Sequence, residues 1–404
     1  MTGKAHNPKM FKEERDHHEA FNGLPQEAIE KLREYTHEGK AKALKMPDKL
    51  CYDTLWQMHK DKRSGQVGHF IFEMFYDIYM GIEDELVANS IDTQVRCYPD
   101  YVPRAANIID YSIKASQAGM RAFISQDHFF PTVGQAWGAQ QKVDEMYLNG
   151  ELDHTVEVLG CHVFSWSHHP DQVHMIQKYP NLGACLFYCQ TYGGKNCGPV
   201  VNMFDEKGKI HPEVRHILKL CADYKIAVMS GHATMYFDQF KKLAQVASEY
   251  GTHVMWMHAA PWAAHNDRAT LKEYKELIKL GAYLQCDANK ILPSIIWPMT
   301  DPNIGLQWMA DLGPDHIIPC TDGGQPFIGD AVDMWKMFVR AMIHFGLGNE
   351  NIKQMIQTNP AEFLYLPEKR ADTPERKPIQ QFTEINNKTT ITNRNPETKK
   401  PTKK

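Results

Sequence analysis

The sequence predicts an α/β protein of the (β/α)₈ barrel class. Two observations lead to this fold. Short apolar runs alternate with longer amphipathic segments, and there are eight such runs. They cover residues 91–95, 120–124, 156–161, 184–188, 226–229, 253–257, 282–286 and 317–320. Strands that alternate with helices form a parallel sheet, and eight is the number of strands that closes such a sheet into a barrel.

The segments between the runs support this alternation. Residues 238–250 and 269–280 show the spacing of apolar residues that is typical of amphipathic helices. Several runs are preceded by a glycine that would end a helix, namely Gly119, Gly183, Gly251 and Gly281. We therefore expect residues 91–366 to form the barrel.

Two flanking regions differ from the barrel in composition. Residues 1–90 are charged and helix-prone, and their part from 48 to 80 is rich in aromatic and apolar residues. An extension this apolar must pack on the barrel or on another subunit. Residues 367–404 are rich in Thr, Asn, Lys and Pro. This composition predicts a basic, disordered tail.

Composition also narrows the classes of partner and compartment. The formal net charge of −4 gives no reason to expect nucleic acid or an anionic membrane as a partner. No apolar stretch reaches transmembrane length, and residues 1–14 are too polar for a secretory signal. The nine cysteines are scattered, which favours reduced thiols. We expect a cytoplasmic protein that acts on a small molecule.

Polar residues follow the ends of the predicted strands, where a barrel carries its active site. In chain order they are Asp92, Gln94 and Arg96, then Gln126, Asp127 and His128, then His162, Gln190, His232, His258, Asp287 and Asp322. Two histidines and a carboxylate from strands five, six and eight could bind one metal ion. The alternative is that the histidines are structural and that Asp322 is a turn or helix-capping residue.

Three groups of motifs carry a resemblance to a known family. The segments Ser230-Gly-His-Ala, Val254-Met-Trp-Met-His and Cys320-Thr-Asp-Gly-Gly-Gln are followed by a closing Asn-Pro-Ala-x-x-Leu at residues 359–364. In this order they resemble the second half of an amidohydrolase-superfamily barrel, a group of metal-dependent hydrolases. Residues 118–132 resemble the second-strand region of a little-characterised branch of the same group.

The resemblance implies roles for particular residues. His232 and His258 match metal-binding histidines, and Asp322 matches the aspartate that acts as general base on a metal-bound water. His128 is a further candidate catalytic residue. The family's first-strand His-x-His pair is replaced by Gln94 and Arg96, and Gln126 stands where a bridging lysine is expected.

These replacements argue against a binuclear site, because glutamine is a poor ligand and arginine a permanent cation. The expected cofactor is one divalent ion, zinc or else iron or manganese, held with help from His128, Asp322 or a nearby thiolate. The alternative is a barrel that binds no metal ion.

Two functions remain open at this point. The first is hydrolysis of an amide, ester or lactone, or a related decarboxylation, with Arg96, Gln94, Gln126 and His162 binding a small anionic substrate. The second is a catalytically degenerate barrel that acts as a structural or binding subunit of a homo- or hetero-oligomer, assembled through residues 1–90. A bound metal would favour the first function, and an ion pair between Arg96 and Asp322 would favour the second.

Overall fold

The computed structural model contains a sheet of eight parallel strands. It describes residues 82–100, 103–164, 168–187, 203–231, 235–261, 269–292, 302–326, 329–368, 370 and 373–375. The strands are β1 (Ile91–Arg96), β2 (Ala122–Gln126), β3 (Glu157–Phe164), β4 (Leu182–Phe187), β5 (Ala227–Met229), β6 (Val254–Trp256), β7 (Tyr283–Asp287) and β8 (Ile317–Cys320). Each predicted apolar run overlaps one of them.

Helices lie between the strands. They are α1 (Ile82–Val87), α2 (Ile108–Gln117), α3 (Val133–Leu148), α4 (Asp171–Ile176), α5 (Pro212–Tyr224), α6 (Phe237–Tyr250), α7 (Leu271–Lys279), α8 (Ala288–Ile291), α9 (Pro302–Leu312), α10 (Ala331–Phe345), α11 (Asn349–Lys353) and α12 (Asn359–Phe363). A π-helical turn, Gln354–Thr358, joins the last two. The predicted helices at 238–250 and 269–280 correspond to α6 and α7.

The strands follow one another in chain order around the sheet, from β1 to β8. The first and last strands meet through a parallel bridge between Val95 and Gly323, and the Arg96 backbone N–H donates to the Gly323 carbonyl over 2.9 Å. This seam brings the ends of the barrel domain together, so the (β/α)₈ barrel prediction is confirmed.

The barrel has two apolar layers. Side chains such as Ile124, Leu159 and Met229 fill the interior, and a larger set packs between the strands and the helices. Phe363 of α12 joins the inner layer against Tyr283, with ring centroids 5.2 Å apart. Because Tyr283 begins β7, α12 covers the amino-terminal end of the barrel. The opposite end, where the strands finish, is left for polar residues.

One predicted helix-ending glycine has a different role. Gly119, Gly251 and Gly281 have positive φ angles, as expected after a helix. Gly183 instead lies inside β4, and a Cβ there would come 3.0 Å from the Leu159 Cβ. Its small size serves close packing between strands, so the helix-end prediction at Gly183 is wrong.

The flanking regions are described only where they meet the barrel. Helix α1 is tied to α10 by ion pairs of Glu83 with Arg340 and of Asp84 with Lys336. The predicted extension before residue 82 lies outside the described residues, as does most of the predicted tail. Arg370, in that tail, forms two 2.8 Å hydrogen bonds to Asp144 on α3. No helix in the described ranges could cross a membrane.

Candidate active site

A buried group of ionisable residues lies where β6, β7 and β8 end. His258 follows β6, Asp287 ends β7 and Asp322 follows β8. Each offers one potential ligand atom, and these atoms lie within 4.8 Å of one another. Asp287 was noted in the sequence only as a strand-end residue. The group joins it to two of the three predicted metal ligands, His258 and Asp322.

The backbone holds two of these residues in an unusual conformation. His258 has a φ of 52° and Asp322 a φ of 43°, in the left-handed region that disfavours residues with a side chain. The His258 backbone N–H donates to the Gln285 Oε1 over 3.1 Å, which helps to fix the turn. Such strain is typical of positions where a side chain must point in a particular direction.

The ammonium of Lys290 lies among the three residues. Its Nζ is 2.6 Å from the His258 Nδ1, 3.2 Å from the Asp287 Oδ2 and 3.4 Å from the Asp322 Oδ2. Lys290 is on α8, one helical turn beyond Asp287, and its side chain is 5% exposed. The ammonium therefore lies within hydrogen-bonding distance of all three side chains.

Burial and charge set the protonation of this group. Burial lowers the pKa of His258, since it disfavours the imidazolium. Burial also disfavours the Asp287 carboxylate, but the attraction of His258 and Lys290 outweighs it and lowers the pKa of Asp287. For both groups the charge of the partner opposes burial, since the His258 Nδ1 lies 2.8 Å from the Asp287 Oδ2.

The thiol of Cys320 also contacts this group. Burial raises the pKa of the Cys320 thiol well above its usual value, and the Sγ donates to the Asp287 Oδ1 over 3.2 Å. Cys320 is therefore a hydrogen-bond donor to this carboxylate.

The donors would suit a divalent ion, but the space is taken. One imidazole and two carboxylates are a ligand set typical of zinc, iron or manganese, with bonds of about 2.0–2.2 Å. An ion bonded to all three residues would need the position that the Lys290 Nζ occupies, 2.6–3.4 Å from the same side chains. As arranged here, the residues do not fit a metal ion.

Asp322 is fixed by further donors from opposite sides. The Gln94 Nε2 donates to its Oδ1 over 2.6 Å, and the Asn289 Nδ2 donates to its Oδ2 over 2.8 Å. The Arg96 Nε lies 3.6 Å from the Oδ1. The ion pair that the second hypothesis anticipates is therefore present. Gln94 and Arg96, the two departures from the family pattern, both act on the same carboxylate.

The ion pair with Asp322 is too long for a hydrogen bond, so the Arg96 guanidinium retains N–H donors. Arg96 is 3% exposed, and its Nε and Nη1 make no hydrogen bond to any described residue. The backbone above it is tightly packed, since a Cβ at Gly324 would lie 1.9 Å from the Arg96 carbonyl oxygen. A buried cation with unused N–H groups is suited to binding an acceptor from a ligand.

Asp92 supports the seam from below the site. Its Oδ1 accepts from the backbone N–H groups of Gln94 and Thr321, and its Oδ2 accepts from the Thr321 hydroxyl over 2.6 Å. Burial raises the pKa of Asp92 to about 7 in spite of these donors. This carboxyl group therefore changes its charge near neutral pH.

His128 lies in a separate polar group at the end of β2. Its Nδ1 is 3.6 Å from the Asp100 Oδ2, and Arg104 forms an ion pair with the same carboxylate over 2.6 Å. Burial, followed by the charge of Arg96, lowers the pKa of His128 to about 4. His128 is therefore neutral near pH 7. The charge of Arg96 acts on both His128 and Asp322.

The remaining predicted residues have other positions. The Gln126 Nε2 donates to the Thr93 carbonyl over 2.9 Å and contacts the Met229 sulfur, so it belongs to the barrel interior. His162 lies on the outer face of β3, beside Trp137 and Met175 in a groove of about 620 Å³. The structure does not bring His162 together with Asp322. His232 lies outside the described residues.

Sequence reasoning missed two residues of the site, Asn289 and Lys290. Both follow β7 in the short polar stretch Asp287-Ala-Asn-Lys. The sequence does carry a signal, because a residue three positions after a strand-end aspartate meets it again if one helical turn follows. The expected lysine near the second strand is absent, and a lysine enters the site from strand seven.

Parts of this chain are similar to a known protein family and to solved structures. Residues 89–285 match the model of a family of unknown function, DUF6282. No curated protein matches the chain.

Solved structures similar to this chain include amidohydrolases. An amidohydrolase from Pseudomonas aeruginosa is 12% identical, with a TM-score of 0.47 over 70% of this chain and 97% of that one. A dihydroorotase from Saccharomyces cerevisiae, solved with 5-fluoroorotic acid, is 10% identical, with a TM-score of 0.48 over 70% and 85%. A zinc-bound amidohydrolase from Burkholderia multivorans is 9% identical, with a TM-score of 0.43 over 69% and 100%.

These names agree with the resemblance that the sequence motifs carry. The barrel assignment itself rests on the order of the strands in this chain, and such distant similarities add nothing about its chemistry.

Proposed function

We propose that this chain is a hydrolase that cleaves an amide, ester or lactone bond in a small anionic substrate. The observation that carries the proposal is the Arg96 guanidinium, 3% exposed, with its Nε and Nη1 unused in hydrogen bonds among the described residues. It lies beside the Asp322 carboxylate at the end of the barrel where strands finish. A carboxylate or phosphate on the substrate would accept from these N–H groups.

The neighbouring residues suit acid–base chemistry on a carbonyl. Asp322 would take a proton from the attacking water and return it to the leaving nitrogen or oxygen as the scissile bond breaks, and Gln94 and Asn289 fix the direction of its carboxylate. The charges of Arg96 and Lys290 would stabilise the negative charge that develops on the carbonyl oxygen. The sequence predicted that a metal ion activates the water. Because the Lys290 Nζ lies among the atoms that would bind the ion, we assign no step to a metal. Decarboxylation of an anionic substrate would use the same two cations.

The test is a set of matched substrates. Amides, esters and lactones would be offered in pairs, with and without a carboxylate, and products followed by liquid chromatography and mass spectrometry. The Asp322→Asn variant should lose about 10²–10⁴-fold in kcat, the range for removal of a general base. The Arg96→Gln variant should raise KM by about 10–100-fold, for the carboxylate-bearing member of each pair.

A surface arginine provides the control. Arg215 on α5 pairs with Glu249 over 2.7 Å at an exposed position, so Arg215→Gln should leave both constants unchanged. Hydrolysis that survives Asp322→Asn would show that the activity arises elsewhere. An Arg96→Gln effect that is equal for charged and neutral substrates would reject the anion-binding role.

The second candidate is a catalytically degenerate barrel that serves as a binding or structural subunit. The contacts of Arg96 and Lys290 favour it, since these two cations already balance the charges of Asp322 and Asp287 without a ligand. Assembly would then depend on the residues before α1. The full chain and a chain that begins at residue 82 would be compared by light scattering. Loss of an oligomer on truncation supports this candidate, and an unchanged mass opposes it.

A further inference from the structure

We infer that the ammonium of Lys290 is the resident cation of this site and that it excludes a divalent metal ion. The inference goes beyond the proposed hydrolysis and does not depend on it. Its starting point is the group of His258, Asp287 and Asp322, three buried residues whose ligand atoms lie within 4.8 Å of one another. Such a group needs a positive charge, because two carboxylates buried side by side repel each other.

Lys290 supplies this charge at the point where the three residues converge. Its Nζ contacts the His258 Nδ1, the Asp287 Oδ2 and the Asp322 Oδ2 at 2.6, 3.2 and 3.4 Å. Each of these three atoms comes from a different strand end, those of β6, β7 and β8. A metal ion at the same place would meet the same atoms.

Both carboxylates also accept hydrogen bonds from other side chains. The Asp287 Oδ1 accepts from the Cys320 thiol over 3.2 Å, and the Asp322 Oδ1 accepts from Gln94 over 2.6 Å. Asn289 adds a donor to the Asp322 Oδ2. These hydrogen bonds suit a site that already contains the ammonium. A divalent ion would have to displace the ammonium of Lys290, whose side chain is 5% exposed.

Charge makes coexistence of the two cations unfavourable. A divalent ion bound within about 3 Å of the Lys290 ammonium would repel it, and Arg96 adds a second positive charge beside Asp322. The positive charge can be removed from the site only if the Lys290 side chain turns out of the barrel or loses its proton. We therefore expect removal of this side chain to create a metal site from residues that are already in position.

Zinc binding by the purified full-length chain tests the inference. Wild type and Lys290→Ala would be stripped with chelator, dialysed against Zn²⁺ and analysed for zinc per chain by plasma mass spectrometry, with affinities from calorimetry. We expect Lys290→Ala to bind one more zinc per chain than wild type, at least about 10-fold more tightly than any wild-type site. Mn²⁺ serves as a second probe.

Three controls locate the ion. Lys219→Ala removes an exposed lysine that pairs with Asp223 over 2.7 Å, and it should bind no more zinc than wild type. Adding His258→Gln to Lys290→Ala should abolish the extra zinc. Zinc that persists in this double variant is bound elsewhere, and the inference then fails because no new site has formed.

Two outcomes would overturn the inference directly. One is a zinc ion in wild type that His258→Gln removes, since Lys290 then does not exclude it. The other is a folded Lys290→Ala chain that gains no zinc. If Lys290→Ala folds poorly, Lys290→Gln keeps a hydrogen-bond donor without the charge, and its melting temperature is measured with and without zinc. The inference expects stabilisation by zinc in this variant alone, and equal zinc effects on both proteins would reject it.

Discussion

The side-chain amide of Gln94 donates a 2.6 Å hydrogen bond to the Oδ1 of Asp322, across the seam between the first and last strands of the barrel. The two residues are 228 positions apart in the chain. Gln94 stands where the resemblance leads one to expect a metal-binding histidine. Its neutral amide serves the Asp322 carboxylate as a hydrogen-bond donor.

Removal of this amide should weaken the fold. The Gln94→Ala change deprives a buried carboxylate of a short hydrogen bond, and we expect a loss of about 1.5–3 kcal/mol in the free energy of unfolding. Urea denaturation would measure it. Gln307→Ala is the matched control, since Gln307 makes a 2.8 Å bond to Asp311 on the exposed side of α9, and it should cost under about 0.5 kcal/mol. Equal costs for the two variants would contradict the assigned role of Gln94.

The raised pKa of Asp92 predicts a dependence of stability on pH. Burial raises this pKa from 3.8 to about 7, so the folded chain binds a proton that the unfolded chain releases between these values. The stabilising contribution is complete below pH 4 and is lost as the pH rises through 7. Relative to wild type, Asp92→Asn should gain at most about 1.4 kcal/mol per pH unit over this range. Asp333→Asn, exposed on α10, should show no such trend.

Gly324 should tolerate no side chain. It has a φ of 111°, and a Cβ would lie 1.9 Å from the carbonyl oxygen of Arg96, which is part of the backbone and cannot move aside. We expect Gly324→Ala to cost more than about 3 kcal/mol and to disturb the Arg96 side chain. At Gly346 the φ is 87° with nothing within 4 Å of a Cβ, so Gly346→Ala should cost only about 1–2 kcal/mol. Thermal unfolding of the two variants separates steric overlap from backbone strain.

Asn359 in the closing Asn-Pro-Ala motif should be a stability residue. Its Nδ2 donates to the carbonyl oxygens of Pro314 and Ile317 over 2.7 and 2.8 Å, which fixes α12 to the start of β8. Asn359→Ala should cost about 2–4 kcal/mol, because both acceptors lose their partner. Asn351→Ala removes a single bond to Leu347 and should cost about 1 kcal/mol. Substrate turnover, where present, should change little in either variant that remains folded.

The barrel was predictable because its strands are short apolar runs with helices between them. The position of His162 was not, since the predicted strand ended at residue 161 and the real one continues to Phe164. Side chains alternate along a strand, so with Cys161 in the inner layer His162 must face outward. Lys290 was missed because its approach to Asp287 depends on a single helical turn after β7. Sequence patterns indicate the presence of strands well, but their exact ends and the direction of individual side chains poorly.

The seam between β1 and β8 has a consequence for synthesis of the chain. Gln94 and Arg96 leave the ribosome more than two hundred residues before Asp322, the carboxylate that both of them contact. Until the last strand docks, the cluster lacks one of its two acids and the two side chains have no common partner. A partly made or truncated chain therefore lacks this arrangement, which forms only when the whole barrel has been translated and closed.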